Sequence, residues 1–172
     1  MKRSRIAAAA AVLVVSTVAL SGCYNGPDAT TTTMASANTG NGVDQLQGNI
    51  QIDDATVVLG PEGSGSGTIV VRLVNVGAEP DALTYATING LPADIIVADD
   101  SVSPGSPIEL APGTSTGFGY DSDNYLTVQS GLDVPMSSYV PIELGFREAG
   151  LAKMQVLTVP QAGYYEGVTG QP

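Results

Sequence analysis

Cys23 is the one thiol in the chain, and it closes the tetrapeptide Leu20-Ser-Gly-Cys23. Two small residues ahead of a cysteine form a lipobox. There the thiol sulfur takes a lipid, and the cysteine becomes the N-terminus of the mature protein. The flanks agree: Lys2, Arg3 and Arg5 are basic, and residues 6–20 are an almost unbroken apolar run. This is the anatomy of a secretory signal. The run of 15 residues is shorter than the roughly 20 of a membrane-spanning helix. Cys23 is therefore the expected lipidation site, and the bilayer the first expected partner. Two or more acyl chains give stable attachment, so the protein is expected on the extracytoplasmic side of the cell membrane. With Cys23 acylated, no disulfide is possible.

Other chemistry is limited by what is missing. The chain has no histidine. That removes Ser-His-Asp triads, Cys-His pairs and histidine metal sites. Asp121-Ser-Asp-Asn124 places two carboxylates and an amide on a loop, a donor set suited to a hard cation. The full calcium-loop spacing is absent, so a solvated turn is expected. Asp53-Asp54 lies on a candidate strand, where neighbouring side chains point to opposite faces. Asp99-Asp100 reads as a turn. Gly60-Pro-Glu-Gly-Ser-Gly-Ser-Gly67 lacks the Lys-Ser/Thr and the following helix of a phosphate loop. It is expected to connect a hairpin. Paired carboxylates could hydrolyse glycosides, but two Phe and no Trp offer little surface for stacking sugars. No catalytic residue, metal or cofactor is expected.

Removal of residues 1–22 leaves 150 residues, of which only Arg72, Arg147 and Lys153 are basic. Against 17 acidic residues the mature net charge is −14. Such a surface is a poor partner for nucleic acid. It keeps a secreted domain soluble.

The elements that must carry these residues are short. Residues 24–48 are mostly Asn, Gly, Thr, Ser, Ala and Pro, nearly uncharged and with no hydrophobic period, which predicts a flexible tether. From Ile50 onward, short apolar runs alternate with Gly, Pro, Asn and Asp, the pattern of an all-β domain. Candidate strands are 50–59, 68–75, 81–88, 94–97, 108–110, 117–120, 125–129, 139–147 and 152–159. The clearest is 139–147, where Val140, Ile142, Leu144 and Phe146 alternate with more polar residues at period 2. Pro141 has no N–H, so this strand is expected at an edge or with Pro141 turned outward. Seven to nine strands in about 110 residues predict one antiparallel Greek-key β-sandwich. It spans residues 49–160, after a signal at 1–22 and a lipidated tether at 23–48. A loosely ordered tail is expected at 161–172, with Tyr164 and Tyr165 candidates to cover a sheet edge.

Residues 130–160 resemble the end of PCu(A)C-type periplasmic copper chaperone domains. Gly131-Leu132, a short turn, the strand from Val140-Pro141, the Ala149-Gly150 turn and a valine-rich final strand follow one another as in that family. Leu73-Val-Asn-Val-Gly77 with Asp81-Ala-Leu83, and Ile108-Glu-Leu-Ala-Pro-Gly113, extend the resemblance over roughly residues 50–160. It implies a cupredoxin-like, immunoglobulin-like sandwich. The family binds Cu(I) through histidine and methionine, including a His-x-Met before the Gly-Leu. Here those positions are Leu126 and Val128, and the upstream region 93–100 has neither His nor Met. The chain thus resembles lipoprotein members of the fold that lack the ligands. Of the mature methionines, Met34 is in the tether and Met154 is on a strand.

The sequence therefore reads as a lipid-anchored envelope module with a copper chaperone-like sandwich. It is read as non-catalytic, with an envelope protein as its further partner. A metallochaperone using a non-standard site, such as Met136 with nearby carboxylates, is the first alternative. A small hydrolase is the second.

Overall fold

The computed structural model describes residues 42–97, 105–119 and 122–168. Ten strands form among them. They are β1 (Val43–Gln47), β2 (Ile50–Leu59), β3 (Gly67–Asn75), β4 (Asp81–Ile88), β5 (Leu91–Ile96), β6 (Ile108–Leu110), β7 (Ser115–Phe118), β8 (Tyr125–Val128), β9 (Tyr139–Phe146) and β10 (Leu151–Pro160). Apart from one short 3-10 turn the described elements are all strands, and they pack as a β-sandwich.

The sheets join at both corners. Along the order β2-β10-β9-β4-β5-β8-β3 each strand bonds the next, and β3 returns to β2. Two strands change partner midway to make this possible. In β5, Leu91–Ala93 pair with β4 and Asp94–Ile96 pair with β8. In β10, residues 151–157 pair antiparallel with β9. Thr158–Pro160 then lie parallel to Val57–Leu59 of β2. This seam departs from the expected all-antiparallel pairing. A parallel pair cannot be closed by a tight turn; here nearly the whole domain separates the two strands, and local turn signals cannot reveal it.

The inward faces follow the period-2 pattern. Val140, Ile142, Leu144 and Phe146 of β9 face the core. They meet Ala152, Met154 and Val156 of β10 at Leu144, Ile142 and Val140. Phe118 and Leu73 are fully enclosed from the other sheet. In β2 the inward residues are Ile50 and Ile52, then Ala55, Val57 and Leu59, so the phase slips by one. The slip is a β-bulge: Asp53 faces Arg72 and Thr56 faces Val70, so Asp54 and Ala55 of β2 oppose the single Val71 of β3. Asp54 takes the extra position with φ 56°, a left-handed conformation that Asp tolerates better than most residues.

β9 is interior, between β10 and β4, so the expectation of an edge fails and that of an outward Pro141 holds. The Pro141 carbonyl accepts the Asn89 N–H at 2.8 Å. The nitrogen and oxygen of one strand residue face the same neighbour in a bonded pair. The missing N–H of Pro141 therefore faces the turn after β4, where no ladder bond is lost. That turn is Asn89-Gly90, with φ 50° and 80°, between the paired Ile88 and Leu91. Two positive φ values make the mirror-image turn that suits hairpin twist.

Two segments are more ordered than the sequence implied. β1 lies inside the stretch read as tether, and it pairs with Ile50–Ala55 of β2. Its inward residues Val43, Gln45 and Gln47 are half-buried and mostly polar, so composition hid the strand. In the tail, a 3-10 turn spans Gly163–Tyr165 and Val168 is buried.

Gly145 of β9 faces Tyr85 of β4. A Cβ built at Gly145 would fall within the Tyr85 ring, so the tyrosine covers the gap that glycine leaves. Gly145→Ala is expected to push the ring into solvent and lower stability by about 1–2 kcal/mol. Thermal unfolding and the near-ultraviolet tyrosine signal check this together.

Candidate functional site

The candidate residues scatter. Cys23, Met34, Asp99, Asp100 and Asp121 lie outside the described residues. Asp123 is exposed. Its loop is tied down by its neighbours: the Ser122 hydroxyl donates to the Gly117 carbonyl at 2.7 Å, and Asn124 Nδ2 reaches the same oxygen at 3.3 Å. The Asn124 amide nitrogen thus faces this carbonyl. The Gly119 N–H bonds the Asn124 backbone carbonyl at 2.8 Å. Asp53 accepts two bonds from Gln51 Nε2. Asp44 Oδ1 accepts the Asp54 N–H at 2.8 Å. Asp44 thus ties β1 to Asp54, the bulge residue of β2. Among the described residues no group of three His, Cys, Asp or Glu could hold a metal ion.

Leu126 and Val128 sit two apart on β8 and both face inward, at 0% and 4% exposure. Leu126 pairs with Ile69 and Ile95. They are core side chains. Met154 is also buried, opposite Ile142. Of the methionines described, Met136 alone is exposed, at 49%.

Met136 lines a cleft of about 260 Å³ between the β2–β3 connection and residues 132–136. The connection is the expected hairpin loop, closed by Gly60 N–H to the Ser66 carbonyl at 3.0 Å. Leu132 N–H donates to the Gly65 carbonyl at 2.8 Å and joins the two walls. The second wall is held by Thr158. Its hydroxyl donates to the Pro135 carbonyl at 2.8 Å and accepts the Ser138 N–H at 3.0 Å. The lining mixes Leu59, Pro61, Val134 and Met136 with the Ser64 and Ser66 hydroxyls and Glu62. Ser64 and Ser66 bond each other at 2.9 Å. Its volume is below the roughly 300–1,000 Å³ of drug-sized ligand sites. No local sequence signal indicates the cleft, because its walls are some 70 residues apart in the chain.

Two polar side chains missed in the sequence hold the loops at the other end. Asp81 is 5% exposed. Its Oδ1 accepts the N–H groups of Ala82 and Glu148 at 2.7 and 2.9 Å, and Oδ2 accepts that of Ala149 at 2.9 Å. Burial pushes the Asp81 pKa up, but the backbone donors of Glu148, Ala82, Ala149 and Arg147 outweigh it. The net result is below the ordinary carboxylate value. Asn75 is 1% exposed. Its Nδ2 donates to the Glu79 and Leu110 carbonyls, and its Oδ1 accepts the Gly77 N–H. Both residues stand in the stretches that carry the family resemblance, and both are structural ties.

The described residues hold three cations, Arg72, Arg147 and Lys153, and two of them are paired at the surface. Arg147 binds Glu109 through both guanidinium nitrogens, the closer at 2.6 Å, and Lys153 binds Glu143 at 2.6 Å. Exposed pairs of this kind add little to stability. Among the described residues only Arg72 lies outside these two pairs.

No protein-family model matches the chain. None of the curated proteins matches it. Solved structures do. The copper-bound PCuAC domain from PmoF2 aligns with TM-score 0.59 at 17% identity, over 69% of this chain and 98% of that domain. The apo PCuAC domain from PmoF1 aligns with TM-score 0.59 at 15% identity, over 69% and 100%. The apo PmoF2 PCuAC domain gives 0.60 at 16%, over 74% and 100%. The chain has the PCuAC-type fold, and its β-sandwich spans the whole of those domains.

Proposed function

We propose that this protein is a lipid-anchored, extracytoplasmic envelope module built on a copper chaperone-like sandwich, binding without catalysing. The observation that carries the reading is the state of β8. Leu126 and Val128, at the positions where the resemblance calls for a His-x-Met pair, are buried aliphatic core side chains. Soft Cu(I) needs thioether, thiolate or imidazole donors, and neither residue supplies one. The lipobox at Cys23 supports the address. The PCuAC-type fold supports a binding role, and the absence of histidine from the chain supports a non-catalytic one. The partners are the bilayer, through acylated Cys23, and an envelope protein.

One observation favours a second reading, a metal-binding lipoprotein with a non-standard site. Met136 is exposed and shares its cleft with Glu62. One thioether and one carboxylate make a poor soft-metal site, so this reading ranks second.

Mass spectrometry of the protein from its own membrane tests the anchor. The N-terminal peptide is expected to begin at Cys23 and to carry a diacylglyceryl mass. In Cys23→Ser the lipid mass is expected to vanish and residues 1–22 to persist. An unmodified Cys23 in the mature chain would remove the anchoring half of the proposal.

A further inference from the structure

The outward side chains of β2 beyond the bulge are Thr56 and Val58, and both are 0% exposed. With Val159 of β10 they form a face over the parallel seam. Val58 and Val159 cluster with Val168, and Val70, Leu157 and Tyr165 pack against this cluster. Residues 161–168 therefore lie across the seam as a strap, anchored by Val168 at 5% exposure and by Tyr165. Val168 also lies beside Gly119.

The strap is attached differently from a strand. Its backbone bonds close on itself: Ala162 N–H to the Pro160 carbonyl, Tyr165 to Ala162, Glu166 to Gly163 and Val168 to Tyr165. Three of these four are 3.2–3.3 Å, at the long end for N–H···O. Gly163 and Gly167, with φ 60° and 83°, bracket the anchor Tyr165. Thr56 Oγ1 is buried without a hydrogen-bond partner. Tyr165 faces it: burial raises the tyrosine pKa, and Thr56 pulls the other way.

We propose that residues 161–168 are a detachable strap. It opens as a unit while the sandwich stays folded, and it uncovers an aliphatic face centred on Thr56, Val58 and Val159. Few side-chain anchors and self-contained backbone bonds are the features of a segment that opens locally.

Amide hydrogen exchange on the full-length protein tests this. The Tyr165, Glu166 and Val168 amides are expected to exchange about a thousand-fold faster than the Val156 amide of β10. Val168→Ala is expected to speed strap exchange by about tenfold, leave Val156 unchanged, and raise binding of an apolar dye. Tyr165→Ala gives the same readout through the other anchor. Strap amides as slow as Val156, strap and Val156 accelerating together, or unchanged dye binding would each overturn the proposal.

Discussion

Asp81→Ala is expected to lower stability by about 3 kcal/mol, which denaturant unfolding at neutral pH measures. The variant leaves three N–H donors without their acceptor, those of Ala82, Glu148 and Ala149. A hydrogen bond to a charged group contributes about 1.5–3 kcal/mol, and an orphaned buried donor costs about 1–3 kcal/mol. The donors at Glu148 and Ala149 belong to the β9–β10 turn, so the loss is expected to loosen that hairpin. The dependence on pH separates this account from a packing defect. The Asp81 pKa is lowered in the folded state. Its contribution is therefore complete above the unfolded Asp value near 3.9 and is lost as pH falls through the lower folded value. The gap between wild type and Asp81→Ala is expected to be constant from about pH 5 to 7 and to narrow below about pH 4. A gap independent of pH would mean that the carboxylate charge contributes nothing.

Leu126→Ala is expected to cost about 3 kcal/mol, within the range for emptying a buried leucine site. Leu126 is wholly enclosed between β3 and β5. The surrounding sheets are closed on one another, so the cavity has little means to collapse. The same variant is expected to leave metal binding unchanged, since leucine offers no donor. Leu126→Ala at wild-type stability would mean that β8 is not packed as described, and the argument from its buried aliphatic pair would fail with it.

The sequence made the inward faces easy to read and the joins hard. In β9 the alternation of Val140, Ile142, Leu144 and Phe146 is local, and the start and the facing follow from it, with the end one residue short of the expected 147. The limits of β2, β4 and β6 follow likewise from apolar runs and turn residues. The bulge is also visible once known, because the apolar phase moves from Ile50 and Ile52 to Ala55, Val57 and Leu59. The β2–β10 seam is not visible, because it joins residues about a hundred positions apart. β1 escaped because an edge strand with glutamines on its inward side has no apolar period. Val168 escaped because one aliphatic residue among glycines carries no pattern. The candidate sites divide the same way. The absence of histidine limits chemistry from composition alone. That Met154 is buried while Met136 lines a cleft depends on contacts between distant segments.

The central claim is that a PCuAC-type fold persists here without the family's copper site. A Cu(I) competition titration of the protein starting at Cys23, acylated as we propose, tests it most directly. Acylation matters, because a free Cys23 thiol would bind Cu(I) by itself. The expected result is that a tight chelator keeps all the copper, with Met136→Leu indistinguishable from wild type. Stoichiometric Cu(I) retained against that chelator, and lost in Met136→Leu, would contradict the claim and make the cleft beside Glu62 a metal site.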